Sequence, residues 1–306
     1  MEKLQSRSNV RRIIVALSLA LVVAGVFLFW PVRTPTAEPV PTPNGYDDFQ
    51  KAAALLSRST TIVPRDLAEE KLREMVTQDR PALKLLRAGL ELECRVPVVY
   101  STNYIDKHIP ELSGHRLLAG ALVAEGRVAE LDQRTNDAAR SYLDAIHLGH
   151  EAARGGMQID HLMGVVCEAM GSSKLTKIAS ALNAKECRAA IATLESIENK
   201  RESPDETLRI ERTFARSEGM KQRISSMINT KSLDPVKQWY RKYLVRLQGE
   251  IDRQSQLRVD LARRAYELEH GNPPADLHVL MPTYLKALPQ LQPSTTNASS
   301  GPRLKR

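Results

Sequence analysis

An apolar run near the N-terminus constrains this chain more than any other feature. Residues 13–30 contain no charged side chain over 18 positions, and a helix needs roughly 20 such residues to cross a bilayer core. Four Lys or Arg residues precede the run, whereas only Arg33 follows it closely. The positive-inside rule then places the N-terminus in the cytoplasm. The sequence therefore predicts a single-pass transmembrane helix over residues 13–32, with the rest of the chain outside the cytoplasm.

Two other interpretations of this run fit it less well. A cleaved signal peptide usually has an apolar core of only about 7 to 15 residues. The first small residue after the run is Ala37, and a cut there would put Pro35 at an unfavourable position. A buried core helix rarely lacks a polar face altogether. An uncleaved anchor in the cell (inner) membrane is the prediction that remains.

Composition divides the chain around this segment into four further parts. Residues 1–12 form a basic cytoplasmic N-terminus, and prolines follow the membrane segment closely enough to predict an extended linker over residues 33–44. Residues 45–289 form a helical extracytoplasmic domain. Residues 290–306 are rich in Ser, Thr and Asn and are expected to be a disordered basic tail.

The basic charge of the chain lies at its two ends. Of the net charge of +8, residues 1–12 carry +3 and the stretch from Lys286 to the C-terminus carries +4. A nucleic-acid-binding protein concentrates its basic residues on a folded face, so the distribution predicts no nucleic-acid partner. The expected partners are the membrane, through residues 13–32, and a protein that the sequence does not identify.

Hydrophobic periodicity in the domain predicts an all-α fold, an array of antiparallel helical hairpins. Aromatic residues make up only 5% of the chain, which disfavours a β-sandwich or barrel. Most of the six prolines in residues 46–271 are expected to stand where a helix could begin, with Pro204 and Pro235 as good helix starts. Apolar residues recur every three or four positions in residues 65–93 (one helix, or two with a break near Pro81), 134–153, 157–181, 184–201, 205–230 and 235–270.

Three segments resemble known families. Ala138, Tyr142 and Ala145 have the spacing of the second helix of a tetratricopeptide repeat, although no second copy follows 34 residues on. Residues 44–49 and 264–285 together resemble uncharacterised membrane-anchored helical proteins of planctomycete-type bacteria, a family that implies no activity. Residues 264–285 are also similar to a C-terminal element of type II secretion pseudopilins.

The strongest candidate for chemistry is a histidine cluster at a Gly-Gly turn. His147, His150 and Glu151 share a helix face, and His161 follows the turn. An antiparallel hairpin would bring His150 and His161 together, and two imidazoles with a carboxylate can bind zinc. The chain has no HExxH motif and no second ligand pair. We therefore expect histidines on the hairpin surface, and predict no metal, cofactor or catalytic residue.

Other chemistry-bearing residues are sparse. The sequence has no Ser-x-x-Lys, Gly-x-Ser-x-Gly, Walker or dinucleotide-binding motif. Cys167 and Cys187 would be offset by roughly 18 Å on neighbouring helices, beyond the ~7 Å that a disulfide allows between Cα atoms. The two should not pair unless Gly171 breaks the helix, and we expect buried cysteines that act as small apolar residues.

These observations favour a non-enzymatic, membrane-tethered interaction or scaffold module over two alternatives. One alternative is a metal-binding protein or enzyme that uses the His147, His150 and His161 hairpin. The other is a structural part of an envelope or secretion assembly, which the pseudopilin-like end suggests. The apolar residues after Gly271 predict a segment that folds back onto the domain, since burial of a Leu or Tyr contributes roughly 1.5 to 3 kcal/mol.

Overall fold

The structure is a computed structural model of the 306-residue chain. It describes residues 38–56, 67–101, 103–217 and 233–288, together with Ser18. The predicted N-terminus, membrane helix and tail lie outside these residues, Ser18 apart, as does the first half of the predicted linker. None of the helices in the described ranges is both long enough and apolar enough to span a bilayer.

The described chain is all-helical, which confirms the predicted fold class. No strand occurs in the described ranges, and two 3₁₀ helices, Ala179–Ala181 and Leu277–Leu280, accompany eight α-helices. The α-helices are α1 (Gly45–Leu55), α2 (Glu69–Leu90), α3 (Tyr104–Leu131), α4 (Thr135–Glu151), α5 (Gln158–Ile178), α6 (Ala184–Asn199), α7 (Pro204–Ser217) and α8 (Leu233–His270).

Two of the six prolines between residues 46 and 271 lie inside helices and do not mark helix starts. Pro81 is in the middle of α2 and Pro110 is in α3, whereas Pro204 is the first residue of α7. An internal proline costs about 3 kcal/mol locally. In α2, the buried face continues from Leu72 across the exposed proline to Leu86. Packing of this face therefore outweighs the local cost, and α2 is unbroken.

Helix α4 lies between two hydrophobic cores and contributes to both. Tyr142 and Ile146 belong to a core shared with α5, α6 and α8. Ala145 and Leu148 belong to a second core, with α1, α2 and α3. Because opposite faces of α4 are buried, the position of α4 fixes how the two halves of the domain meet.

Small residues let α4 and α5 approach closely, as the sequence predicted. A Cβ atom added at Gly149 would lie 2.5 Å from the carbonyl oxygen of Gly164, and one at Gly171 would lie 2.4 Å from that of Tyr142. The contacts pair the end of α4 with the start of α5 and the middle of α4 with the later part of α5. The two helices therefore form the antiparallel hairpin expected around the Gly-Gly turn.

The segment after α8 folds back, which confirms the prediction for the C-terminal end. Gly271 follows α8 with a positive φ of 78°, a conformation that favours glycine. Leu280, Tyr284 and Leu285 are buried in the core formed with α6 and α8. The guanidinium of Arg188 lies 4.2 Å from the centroid of the Tyr284 ring, which ties the segment to α6.

Candidate functional site

An open groove of about 790 Å³ lies between α2, α3 and α4. Its floor contains apolar side chains, and its walls carry charges of both signs. The lining residues are Arg73, Val76, Thr77, Arg80, Arg87, Leu90, Glu91, Glu125, Val128, Ala129, Asp132, Arg134, Asp137, Arg140, Ser141, Asp144 and His147.

The arginines on the α2 wall of the groove share one helix face because they recur every seven residues. Arg73, Arg80 and Arg87 are seven residues apart, and seven residues complete nearly two helical turns, so all three lie on one face. The face that bears Leu72 and Leu83 is buried in the domain. Helix α2 is thus amphipathic, with its arginine stripe turned toward the groove.

Arg87 joins the three helices that form the groove. Both of its terminal nitrogens donate to the carboxylate of Glu125 on α3, and its Nε donates to Asp144 on α4 at 2.7 Å. Ser141 on α4 donates to the same Glu125 carboxylate at 2.7 Å. Burial raises the pKa of Asp144, against the opposing effect of Arg87. This network holds the middle of the groove in one geometry.

A second set of ion pairs holds the end of the groove near the α3–α4 turn. Asp132 accepts from Arg73 at 2.7 Å and from Arg134 at 2.9 Å. Asp137 accepts from Arg134 at 2.7 Å and lies 3.5 Å from Arg140. Hydrogen bonds from Arg73 and Arg134 lower the pKa of Asp132. Because Arg134 binds both Asp132 and Asp137, and Arg73 on α2 also binds Asp132, the turn is cross-linked to α2.

The predicted histidine cluster divides between two cavities. His147 lines the groove and lies 3.6 Å from Glu151. His150 and His161 instead line a separate cavity of about 20 Å³, which is about the size that one water molecule needs. The prediction that the hairpin brings His150 and His161 together is therefore confirmed, but His147 does not join them.

His150 and His161 are enclosed, so the expectation of surface histidines was wrong. His150 is only 4% exposed, and the side chain of His161 is 13% exposed. Tyr243 on α8, with Arg201 and Glu202 after α6, lines the same cavity and covers the hairpin. The covering residues lie 40 or more positions further along the chain, which is why local periodicity did not reveal them.

One ring nitrogen of each cavity histidine has no hydrogen-bonding partner among the described residues. The unpartnered atoms are Nε2 of His150 and Nε2 of His161. Burial is the largest cause that lowers the pKa of each, to about 3 for His150. Both imidazoles are therefore neutral near neutral pH.

The described residues contain no group of three or more His, Cys, Asp or Glu side chains arranged to bind a metal ion. The nearest carboxylate interaction of the cavity histidines is His161 Nε2 to Glu202, at 3.9 Å. That carboxylate also accepts the Gly155 N–H at 2.8 Å. The cavity thus presents two imidazoles, and Glu202 is held by the turn.

A buried polar network closes the cavity on its α8 side. Arg201 donates to both oxygens of Glu168, at 3.2 and 3.1 Å, and Gln254 donates to Glu168 at 2.7 Å. Ser172 donates to Glu250 at 2.7 Å. The network joins α5, the residue Arg201 after α6, and α8.

A third buried histidine, His108, is positively charged, in contrast to the neutral His150 and His161. His108 is 2% exposed, and its two ring nitrogens lie 2.7 Å from Glu111 and 2.6 Å from Asp160. Ionised carboxylates only accept hydrogen bonds, so an imidazole between two of them must be protonated on both nitrogens. Burial lowers the pKa of His108, but the hydrogen bonds to both carboxylates outweigh it and raise the pKa. The resulting cation joins α3 to the start of α5.

The three cysteines are buried and free, as expected for Cys167 and Cys187. Burial raises the pKa of each thiol, to about 12 for Cys94 and Cys167 and to about 11 for Cys187. Thiols with raised pKa values are poor nucleophiles at neutral pH, so the cysteines act as small apolar core residues.

Comparison with known proteins gives no match to any protein-family model, curated protein or solved structure. The resemblances to membrane-anchored helical proteins, pseudopilins and tetratricopeptide repeats remain predictions.

Sequence reasoning missed the groove, although one signal pointed to it. The spacing of Arg73, Arg80 and Arg87 is visible in the sequence and marks a polar face on α2. The partners of Arg73 and Arg87 come from α3 (Glu125), the α3–α4 turn (Asp132) and α4 (Asp144). No local pattern connects them, so the groove requires the tertiary structure.

Proposed function

We propose that this protein is a membrane-tethered, non-enzymatic scaffold, an array of antiparallel helical hairpins whose α2–α3–α4 groove binds an extended segment of a partner protein. The observation that carries the proposal is the open groove of about 790 Å³. It combines apolar residues on its floor with a polar rim, the arrangement by which interfaces give both affinity and orientation.

The length of the groove favours a peptide segment over a small molecule. From Arg73 to Glu91, the residue that follows α2 with helical backbone angles, the lining advances 18 positions, or about 27 Å at 1.5 Å per residue. An extended chain rises roughly 3.3 Å per residue, so about eight residues of a partner would fill it. Equal numbers of arginines and carboxylates line the groove, which does not favour a polyanion such as nucleic acid.

The hydroxyl groups of the groove support a binding role rather than catalysis. Thr77 donates to the backbone carbonyl of Arg73 at 2.8 Å, and Ser141 donates to Glu125. Nucleophilic catalysis needs a hydroxyl next to a general base that is itself oriented by a third group. Within the described chain, neither groove hydroxyl has a histidine partner.

The proposed tether enters the domain at a defined point. Glu38, near the middle of the proline-rich linker, accepts hydrogen bonds from Arg95 and Arg209. Asn44 caps α1 and also exchanges hydrogen bonds with the backbone of Arg95, at 2.9 and 3.0 Å. These contacts hold the C-terminal half of the linker against the α2–α3 connection and α7. They would thereby orient the groove relative to a membrane anchor at residues 13–32.

Site-specific photo-crosslinking tests the docking function. A photoreactive amino acid at Thr77, in the groove, should give crosslinks in native membranes that map to one contiguous segment of one partner protein. The same group at Ser196, exposed on α6, is the matched control and should not capture that segment. Equal capture of the segment from both positions, or no product specific to Thr77, would contradict the proposal.

The proposed topology has its own test. A phosphatase that is active only outside the cytoplasm, fused after Gln290, should be active if residues 13–32 span the membrane as predicted. A reporter that is active only in the cytoplasm should be silent at the same position. Activity of the cytoplasmic reporter would overturn the proposed topology.

A further inference from the structure

Two of the charged side chains that line the groove form no ion pair with the others. Five arginines and five carboxylates line the groove. Eight of these side chains form ion pairs. Within the ranges that the structure describes, the remaining two, Arg80 and Glu91, have no ion pair or hydrogen bond. Both side chains are exposed and so can be approached from the groove.

Arg80 and Glu91 lie on the same face of α2. They are 11 residues apart, which is close to three full turns at 3.6 residues per turn. Their separation along the helix axis is about 16 Å at 1.5 Å per residue. An extended peptide covers that distance in about five residues at roughly 3.3 Å each.

A ligand would have to displace protein side chains to reach the paired charges of the groove, but only water to reach the unpaired ones. A ligand charge that approaches Arg87 must compete with Glu125 and Asp144, which already hold the guanidinium. A ligand charge that approaches Arg80 or Glu91 displaces only solvent. The two unpaired residues should therefore decide which charges the groove selects, because complementary charges set specificity and register at interfaces.

We propose that the groove selects an extended segment with one acidic and one basic side chain about four to six positions apart, the acidic one at Arg80 and the basic one at Glu91. This selectivity rests on the proposed docking function. The paired arginines and carboxylates hold the walls in place, and the apolar floor contacts the residues between the two charges.

A peptide-display experiment on single charge reversals tests this selectivity. The full-length chain in lipid nanodiscs is screened against a random dodecapeptide library displayed on phage. The wild-type protein should enrich peptides with one acid and one base at the stated separation. Arg80→Glu presents two acids and should enrich two bases at that separation, whereas Glu91→Arg should enrich two acids. A synthetic peptide selected by the wild type should bind Arg80→Glu roughly tenfold or more weakly, since like charges then meet.

The controls reverse exposed charges on α2 that do not line the groove. Lys84→Glu and Glu70→Arg should enrich the same peptides as the wild type. Enriched peptides without a charge pair, or the same peptides from Arg80→Glu as from the wild type, would overturn the charge selectivity and leave the docking function standing. No enrichment over empty nanodiscs would overturn both.

Discussion

Two arginine–glutamate pairs in this molecule have the same geometry and different surroundings. Arg87 binds Glu125 through both terminal nitrogens in the groove, with 38% and 26% of the two side chains exposed. Arg201 binds Glu168 in the same way beside the histidine cavity, with 12% and 3% exposed. Water screens the first pair and not the second. The comparison separates a polar surface that can bind a partner from a polar core that closes the domain.

The neighbourhoods of the two pairs extend this difference. The groove pair lines an open volume of about 790 Å³, whereas the volume that both members of the enclosed pair line is about 20 Å³. Arg201, but not Glu168, also lines a surface pocket of about 440 Å³. The groove can accept a segment of another chain, whereas the volume that both members of the enclosed pair line is limited to about one water molecule. Buried polar groups of the second kind specify one packing arrangement, which is the role we assign to the histidine cavity.

Removing the carboxylate of each pair should give the largest contrast. Glu168→Ala leaves Arg201 enclosed, with only the half-exposed Glu198 as a carboxylate partner, and should lower the free energy of unfolding by about 3 kcal/mol. Glu125→Ala should cost about 1 kcal/mol or less, because the groove pair is screened by water. Urea denaturation of the two variants measures both values. Equal losses would show that the groove pair is as important to stability as the enclosed pair.

The glycine contacts between α4 and α5 should give the next largest effect. Gly149→Ala places a methyl group 2.5 Å from the carbonyl oxygen of Gly164, and overpacking of this kind costs about 1 to 3 kcal/mol. Gly249→Ala on α8 is the matched control. A Cβ there has no atom within 4 Å, so alanine should stabilise the helix by roughly 0.5 to 1 kcal/mol. Thermal unfolding should therefore shift in opposite directions. A shift in the same direction would mean that α4 and α5 can separate without cost.

Acid should affect the enclosed histidines with a defined sign. Because the pKa of His150 is lowered to about 3 while an unfolded histidine titrates near 6.5, the unfolded state binds more protons between these values. The free energy of unfolding of the wild type should then decrease as the pH is lowered through that window, by up to about 1.4 kcal/mol per pH unit for this residue. His150→Gln should remove that contribution.

His108 should show the opposite pH dependence. Its pKa is raised, so its contribution to stability is complete below about 6.5 and is lost as the pH rises through the folded value. The stability advantage of the wild type over His108→Gln should shrink as the pH rises. The stability of the wild type relative to His150→Gln should instead increase as the pH rises. Urea titrations at several pH values between 4.5 and 8 provide the measurement. Parallel profiles for the two variants would contradict the assigned charge states.

Arg80→Ala should have the smallest effect on stability. Its side chain is exposed and has no partner among the described residues, so the free energy of unfolding should change by less than about 0.5 kcal/mol. Binding of a selected peptide should nevertheless weaken, because this guanidinium is free to meet a ligand carboxylate. A melting temperature well below that of the wild type would show that Arg80 serves the fold instead.

Much of the helical structure could be predicted because it depends on local patterns. The helices around Tyr142 and Leu261 follow apolar spacing, the hairpin follows from its glycines, and the fold-back follows from the apolar residues after Gly271. The sequence left helix continuity at Pro81 open, because it depends on packing of α2 against α1 and α3. The burial of His150 and His161 depends on residues from α8 and the α6–α7 connection. Local periodicity does not show where these residues pack.

The candidate site was less predictable than the fold for the same reason. The histidine pair was found from its distance to a turn, which is a local property. The groove arises where Arg87 meets Glu125 and Asp144, 38 and 57 residues away in the sequence. A stripe of arginines on one helix indicates an exposed face, but only the packed helices show that this face lines a groove.

Hydrogen–deuterium exchange on the full-length chain tests most directly whether the groove is the binding surface. The chain is compared with and without a peptide that corresponds to the partner segment crosslinked from Thr77. Protection should appear in α2 over residues 73–91 and in α4 over residues 137–147, with no change in residues 161–168 and 243–251 around the histidine cavity. Protection around that cavity, with none in α2, would contradict a docking role for the groove.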